Sequence, residues 1–177
     1  MNNKTNLQIA VSFILAALLI VLICIVTANM ARASECPTYA TEQTQVLRKA
    51  YDIGLPHDRQ HTLMAIVERE VFVGPYVIRV TSTDGDHGSY GVAMMQLTTA
   101  MMLTGEENSW RARAELAPRM MQDDTYAMQL AMLYLLRHER LGWAEAIRRY
   151  NGSGAAADRY AAEVAERVNL FVRCGRP

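Results

Sequence analysis

A single carboxylate within the apolar face of a predicted helix is the first candidate for chemistry in this chain. Leu63, Ile66 and Val67 recur at helical spacing, and Glu70 occupies the next position of the same stripe. A carboxyl on the packed side of a helix loses hydration, which destabilises its charged form and raises its pKa. Such a group can hold a proton near neutral pH and then donate it, so Glu70 is a candidate general acid.

Other interpretations of the glutamates on this helix are open. Glu70 could be an ordinary helix carboxylate that pairs with an arginine, for instance Arg79. Glu68 lies two residues earlier, about 200° round the helix, where its position beside Arg69 predicts a solvated side chain. The two glutamates therefore cannot share one cleft. An alternative assignment gives the acid role to Glu68.

The elements that must position these residues are predicted to be almost wholly helical. Helical periodicity predicts helices at residues 39–52, 123–138, 143–150 and 156–172. Another predicted helix starts at residue 57 or 58 and stops near 74. Helical periodicity also returns from residue 98, with interruptions around Gly105 and Pro118. Gly54 is expected to cap the first of these helices. Turn formers and β-branched residues between Tyr76 and Ser89 predict a loop or short hairpin. The expected fold is mainly α, with a short irregular or β-hairpin segment and a hydrophobic helix at the N-terminus.

The first 33 residues are predicted to direct export. An almost unbroken apolar run from Ile9 to Val26 follows Lys4 and precedes Ala31-Arg32-Ala33, which has the small-x-small form of a leader-peptidase site. Cleavage after Ala33 would release residues 34–177 as a soluble periplasmic domain. Without cleavage, the run is long enough to span a bilayer and anchor that domain to the inner membrane. Residues 1–33 are thus predicted to be a signal peptide or a membrane anchor.

Cysteine positions and charge balance narrow the setting further. Cys36 and Cys174 bracket the exported domain, and in an oxidising compartment such a pair usually forms a disulfide; two free thiols near the chain ends are the alternative. The formal net charge is zero, with 18 Lys+Arg and 18 Asp+Glu, which gives no electrostatic reason to expect nucleic acid. The four histidines lack metal-ligand spacing and no phosphate-binding loop is present, so neither a metal nor a cofactor is predicted.

Four short motifs follow one another between residues 55 and 172. They are the glutamate helix from Ala65 to Glu70, the segment Ser89 to Leu97 with Ala93-Met94-Met95-Gln96 inside it, Tyr150-Asn151-Gly152, and Tyr160 to Val164. In this order they resemble the catalytic domain of the soluble lytic transglycosylases, a family of the goose-type lysozyme-like superfamily. The resemblance implies a lysozyme-like helical domain that cleaves the β-1,4 bond between N-acetylmuramic acid and N-acetylglucosamine in peptidoglycan.

The resemblance also implies a role for each matched residue. Glu70 would be the single acid and base: it would protonate the leaving oxygen and then take the proton of the muramyl 6-hydroxyl, which leaves a 1,6-anhydro end. Met95 and Gln96 would line the sugar cleft, and Tyr150 with Asn151 would position or polarise groups near the scissile bond. Two of these residues have plain structural alternatives, because Gln96 could be a capping amide and Tyr150 a core tyrosine with a satisfied hydroxyl.

Two departures from the family pattern keep further alternatives open. Val71 stands where the family usually has serine, and Ala93 replaces a glycine, which costs backbone freedom if a positive φ is needed there. They favour a catalytically inactive wall-binding or assembly module. Another alternative is a muramidase that uses water and a second acid, for which Asp84 and Asp86 lie on the intervening loop. The implied partners are glycan strands and an envelope-spanning secretion or conjugation machine or a phage particle.

Overall fold

The computed structural model describes residues 18–22, 36–81 and 88–175. The chain divides into two compact units, residues 1–38 and 39–177. In the first unit, residues 18–22 are helical and exposed, and most of the predicted signal or anchor segment lies outside the described residues. None of the helices found in the described ranges combines the length and the apolar character needed to cross a membrane.

The second unit is mainly helical, which confirms the predicted fold class at that level. Its described residues form α1 (Thr41–Gly54), α2 (Gln60–Val71), α3 (Leu97–Thr104), α4 (Trp110–Gln122), α5 (Asp124–His138), α6 (Trp143–Tyr150) and α7 (Ala155–Cys174). Short 3-10 turns at Leu55–His57 and Glu139–Leu141 lead into α2 and α6. The predicted bounds of α5 and α6 agree with the structure, and those of α1 are displaced by two residues.

Two antiparallel strand pairs flank the segment predicted between Tyr76 and Ser89, and they overlap it only at its two ends. One pairs β1 (Phe72–Val73) with β2 (Tyr76–Val77), and the other pairs β3 (Ser89–Tyr90) with β4 (Met95–Gln96). The second pair sets Ser89 opposite Gln96. The loop residues Asp84 and Asp86 lie outside the described residues.

Helix α2 runs through the core of this unit. Residues 62–67 are all buried, as is Val71, and the apolar stripe of Leu63, Ile66 and Val67 is fully buried. A helix that is buried on every face must be surrounded by other elements, and α2 packs against both α1 and α7. The buried turns therefore fix the end of α2, where Glu70 lies, within the fold.

The connection between α1 and α2 differs from the predicted capping. Gly54 has φ −76° and is the last residue of α1, so it is not a left-handed cap. Its lack of a side chain matters because a Cβ there would lie 2.6 Å from the Cα of Gln60. The left-handed residue is Asp58, at φ 56°. Neither Asp58 nor His57 caps α2; Arg59 occupies the cap position, and its side chain makes no capping hydrogen bond.

Two further predictions concerned residues that commonly interrupt or begin a helix. The interruption predicted at Pro118 is wrong, because α4 continues through it. A proline inside a helix removes one hydrogen bond at a cost of roughly 3 kcal/mol, and burial of the neighbouring Leu116 and Met120 offsets that cost. The aspartate predicted at the start of α5 is a cap, since a side-chain oxygen of Asp123 accepts a hydrogen bond from the backbone N–H of Tyr126 at 3.0 Å.

The predicted disulfide between Cys36 and Cys174 is confirmed. It closes a loop that contains almost the whole second unit. In the chain-entropy model, a loop of this length stabilises the folded state by roughly 4 to 5 kcal/mol through restriction of the unfolded chain.

Candidate active site

A polar cavity of ≈ 300 Å³ collects residues from the end of α2, both strands of the second hairpin, and the end of α6. All five residues proposed from the sequence for the site line it: Glu70, Met95, Gln96, Tyr150 and Asn151. They are separated by up to 81 positions along the chain, so only the folded structure brings them together. Six other residues complete the lining, namely Ser89, Met94, Thr99, Tyr134, Arg149 and Gly152.

Glu70 is the penultimate residue of α2 and is partly buried. Burial raises the pKa of its carboxyl, while the hydroxyl of Tyr160 and the positive charge of Arg69 act in the opposite direction and leave the pKa raised overall. Within the described ranges, the carboxyl makes no ion pair and no well-formed hydrogen bond. The pKa of this carboxyl is therefore shifted in the direction expected of a general acid.

The structural alternative for Glu70, an ion pair with Arg79, is wrong. The Arg79 guanidinium instead donates from Nε to Asp124 Oδ1 at 2.8 Å and from Nη1 to Glu42 Oε1 at 2.9 Å. These bonds connect the segment that follows the first hairpin to α1 and to the start of α5.

Glu68 has different surroundings, and the prediction that it is solvated is wrong. Its side chain is 17% exposed; Oε1 accepts a hydrogen bond from the Tyr39 hydroxyl at 2.9 Å, and Oε2 lies 3.3 Å from Nε of Arg167. Tyr39 precedes α1 and Arg167 belongs to α7, so both partners come from segments distant in sequence. Glu68 is not among the cavity-lining residues, which agrees with the prediction that the two glutamates do not share a cleft.

Tyr160 was part of a sequence motif without an assigned role, and the structure places its hydroxyl near the Glu70 carboxyl. The residue is 3% exposed, and its oxygen makes no well-formed hydrogen bond in the described part of the chain. Burial, followed by the negative charge of Glu70, raises the pKa of this hydroxyl well above its usual value. The guanidinium of Arg69 lies 5.8 Å from the centre of the Tyr160 ring. Tyr160 is thus a fixed, neutral donor beside Glu70.

Tyr150 lines the cavity with its ring, but its hydroxyl is already engaged. The hydroxyl donates to the backbone carbonyl of Ala93 at 2.6 Å, and burial raises its pKa well above the usual value. Its ring also meets that of Tyr134 edge to face, with centroids 5.5 Å apart. Tyr150 therefore holds the segment that carries Met95 and Gln96 against α6. The structural alternative for Tyr150, a tyrosine whose hydroxyl is satisfied within the protein, agrees with this geometry.

The backbone of that segment has one strained residue. Met94 has φ 45°, one of two non-glycine residues at positive φ in the described ranges. Ala93 is not among them, so the replacement of glycine there has no backbone cost of the kind expected. A left-handed non-glycine residue costs roughly 1–2 kcal/mol, and such strain concentrates at functional sites. Gly91 starts the turn at φ 73°, where a Cβ would lie 2.6 Å from the carbonyl oxygen of Met120.

The side chains of Gln96 and its neighbour across the hairpin have no hydrogen-bond partner among the described residues and can contact a ligand. Gln96 precedes α3, yet its amide makes no capping hydrogen bond and the residue is exposed, so the capping alternative is wrong. Val71 is fully buried and brings no hydroxyl to the cavity. Ser89, opposite Gln96, lines the cavity instead and could supply a hydroxyl from another element.

No protein-family model, curated protein or solved structure matches this chain. Among the described residues, no group of three or more His, Cys, Asp and Glu side chains is arranged to hold a metal ion. The functional assignment therefore rests on the four sequence motifs and on the cavity that their residues line.

Proposed function

We propose that the chain is a lytic transglycosylase with a lysozyme-like fold, which cleaves the β-1,4 bond between N-acetylmuramic acid and N-acetylglucosamine in peptidoglycan. One observation carries the proposal: Glu70, whose carboxyl has a raised pKa and no ion pair with any described residue, lies in one polar cavity with the four other residues matched to the family motifs. A core carboxylate without a use would normally be paired.

The reaction needs a single group that first donates and then accepts a proton. The protonated Glu70 carboxyl gives its proton to the oxygen of the leaving N-acetylglucosamine as the bond from that oxygen to muramyl C1 breaks. The resulting carboxylate takes the proton of the muramyl 6-hydroxyl, whose oxygen bonds to C1. The 1,6-anhydro ring forms without water, and Glu70 regains its proton.

The surroundings of Glu70 suit both steps. Burial favours the protonated form needed at the start, while the Tyr160 hydroxyl and the Arg69 charge favour the carboxylate formed midway. These opposing influences suit a group that must both donate and accept a proton in one reaction. The free amide of Gln96, which can both donate and accept, is suited to holding the N-acetyl or hydroxyl groups of the sugar.

Hydrolysis by a muramidase is less well supported. Conventional glycosidases use two carboxyl groups roughly 5 to 10 Å apart, and among the described lining residues Glu70 is the single carboxyl. An inactive wall-binding module also loses support, because its two sequence arguments weaken: Ala93 needs no positive φ, and Ser89 brings a hydroxyl that Val71 lacks.

The proposed setting is the periplasm, either in soluble form or on an inner-membrane anchor formed by residues 1–33. The Cys36–Cys174 disulfide suits an oxidising compartment of this kind. There the enzyme would open glycan strands locally for an envelope-spanning secretion or conjugation complex or for a phage particle.

Mass spectrometry of the products tests the proposal directly. Purified protein is incubated with peptidoglycan, beside a Glu70→Gln variant whose fold is checked by circular dichroism. We expect anhydromuropeptides from the wild type and none from the variant. Products with reducing ends would instead identify a hydrolase, and no products from folded wild-type protein would favour the binding module.

A further inference from the structure

Arg149 contributes a guanidinium to the cavity that the proposed reaction does not use. It lies in the last turn of α6, one residue before Tyr150, and its side chain is 47% exposed. Nε donates to Glu145 Oε1 at 2.8 Å. The two terminal nitrogens have no hydrogen-bond partner within the described ranges, so four N–H groups are available to a ligand.

One ion pair holds this guanidinium, and a backbone hydrogen bond holds the helical turn that carries it. The backbone carbonyl of Arg149 accepts a hydrogen bond from the Tyr134 hydroxyl at 2.9 Å, and the Glu145 carboxylate holds Nε. Burial raises the pKa of Tyr134, and the positive charge of Arg149 counteracts part of that rise. Arg149 is therefore oriented before any ligand binds.

The charge of the cavity follows from its lining residues. Only Glu70 and Arg149 among them ionise below pH 9 or carry a permanent charge. Glu70 is held toward its neutral form by burial, whereas arginine stays protonated at any pH that the fold survives. A ligand in this cavity meets a planar cation whose paired N–H groups match the geometry of a carboxylate.

We propose that Arg149 binds a carboxylate of the substrate, carried by the lactyl ether of the muramyl residue or by the peptide attached to it. The site would thereby prefer anionic glycan strands to neutral ones. This inference rests on the proposed function, and it adds a specificity residue to it.

The neighbouring arginine provides a matched control. Arg148 donates from Nε to Asp158 and lies 3.4 Å from the same Glu145 oxygen, and it is not among the cavity-lining residues. Substitution of either arginine removes one positive charge from α6 and one contact to Glu145. Only loss of Arg149 removes the charge that faces the cavity.

Calorimetric titration of the full chain in detergent, as the uncleaving Glu70→Gln variant, tests the inference with three ligands. The first is a tetrasaccharide of N-acetylglucosamine, which is neutral. The second is a tetrasaccharide of alternating N-acetylglucosamine and N-acetylmuramic acid without peptides, which has free lactyl carboxylates. The third is the same tetrasaccharide with peptides, whose carboxylates are on the peptide. Each is titrated into proteins with Arg149, Arg149→Gln, Arg149→Lys or Arg148→Gln.

We expect Arg149→Gln to weaken binding of a carboxylate ligand by about three- to tenfold, with no change for the neutral ligand. Arg149→Lys should recover part of the loss, and Arg148→Gln should bind like its parent. A loss confined to the second ligand identifies the lactyl carboxylate, and one confined to the third identifies the peptide.

Two results would overturn the inference and leave the proposed function standing. Arg149→Gln could weaken all three ligands equally, or it could weaken none while glycan still binds. Failure of every glycan to bind the folded parent would overturn the proposed function together with the inference. A thermal melt of Arg149→Gln separates lost contacts from lost fold, and little change is expected because exposed ion pairs contribute little to stability.

Discussion

Glu68 and Glu70 lie two residues apart on α2, yet their carboxyl groups have opposite surroundings. Glu68 is held by the Tyr39 hydroxyl at 2.9 Å and by Arg167 at 3.3 Å, so the fold supplies both a donor and a countercharge. Glu70 is partly buried at a cavity, its pKa is raised, and none of the described residues forms an ion pair with it. The comparison separates a carboxylate that the fold satisfies from a desolvated one, which is the proposed acid.

The largest expected difference between the two residues is in catalysis. Glu70→Gln should lower the rate of glycan cleavage by about 10²- to 10⁴-fold, because the proton donor is lost. Glu68→Gln should retain most of the activity. Release of soluble muropeptides, quantified against time, measures both rates. Loss of activity in Glu68→Gln alone would transfer the acid role to Glu68 and reverse the comparison.

The next difference is in conformational stability. Glu68→Ala should lower the free energy of unfolding by about 1–3 kcal/mol, because it leaves Tyr39 without an acceptor and the half-buried Arg167 without its countercharge. Tyr39→Phe, which removes one hydrogen bond only, should cost about 1 kcal/mol. Urea denaturation at pH 7 gives both values. A Glu68→Ala protein as stable as the wild type would mean that these contacts contribute no net free energy to folding.

Glu70 should behave in the opposite way, and its effect should depend on pH. Its raised pKa means that the stability contributed by the protonated carboxyl is fully present below the unfolded-state pKa of about 4.3 and is lost as pH rises through the folded-state value. Glu70→Gln is neutral at every pH, so it should raise Tm by about 1–4 °C at pH 7.

Thermal melts between pH 4 and pH 8 measure this effect. The difference between Glu70→Gln and the wild type should shrink toward zero at the acid end of that range. A Tm difference that does not change with pH, or a less stable Glu70→Gln protein at pH 7, would contradict the inference that desolvation raises the pKa of Glu70.

The smallest expected effect concerns Tyr160. Its hydroxyl lowers the pKa of Glu70, so Tyr160→Phe should raise that pKa and move the alkaline limb of the kcat/KM profile to higher pH. At pH 4, where Glu70 is largely protonated, the change should not lower Tm, because the buried oxygen has no well-formed hydrogen bond to lose in the described part of the chain. An unmoved alkaline limb would show that the hydroxyl does not act on the acid.

Sequence periodicity predicted most of the helical architecture. It failed at a proline and at a glycine whose effect on the backbone depends on tertiary packing. The bounds of α6 agree because Gly142 and Gly152 flank a short amphipathic run. The break expected at Pro118 does not occur, because Leu116 and Met120 keep α4 packed on both sides of it. Gly54 is not the predicted cap. Its missing side chain lets the ends of α1 and α2 approach closely, and no local sequence pattern predicts such a contact.

The site was predictable in part. Short motifs identified five lining residues, because each motif combines a polar side chain with a fixed local backbone. Arg149 and Tyr160 were not assigned a role, since an arginine or tyrosine in a helix has many ordinary uses. The signal that could have found Arg149 is its position directly before the Tyr150 motif.

The sequence by itself determined that Glu68 and Glu70 face different sides of α2, because the helical repeat separates residues two positions apart by about 200°. Only the tertiary structure decided which carboxyl group receives hydrogen-bond and ion-pair partners and which one lines a cavity. Tyr39, Arg167 and Tyr160 reach the two carboxyl groups from segments at least 29 positions away, and contacts at that separation depend on how the helices pack. Packing of distant segments, not local pattern, therefore makes one glutamate a structural anchor and the other a candidate acid.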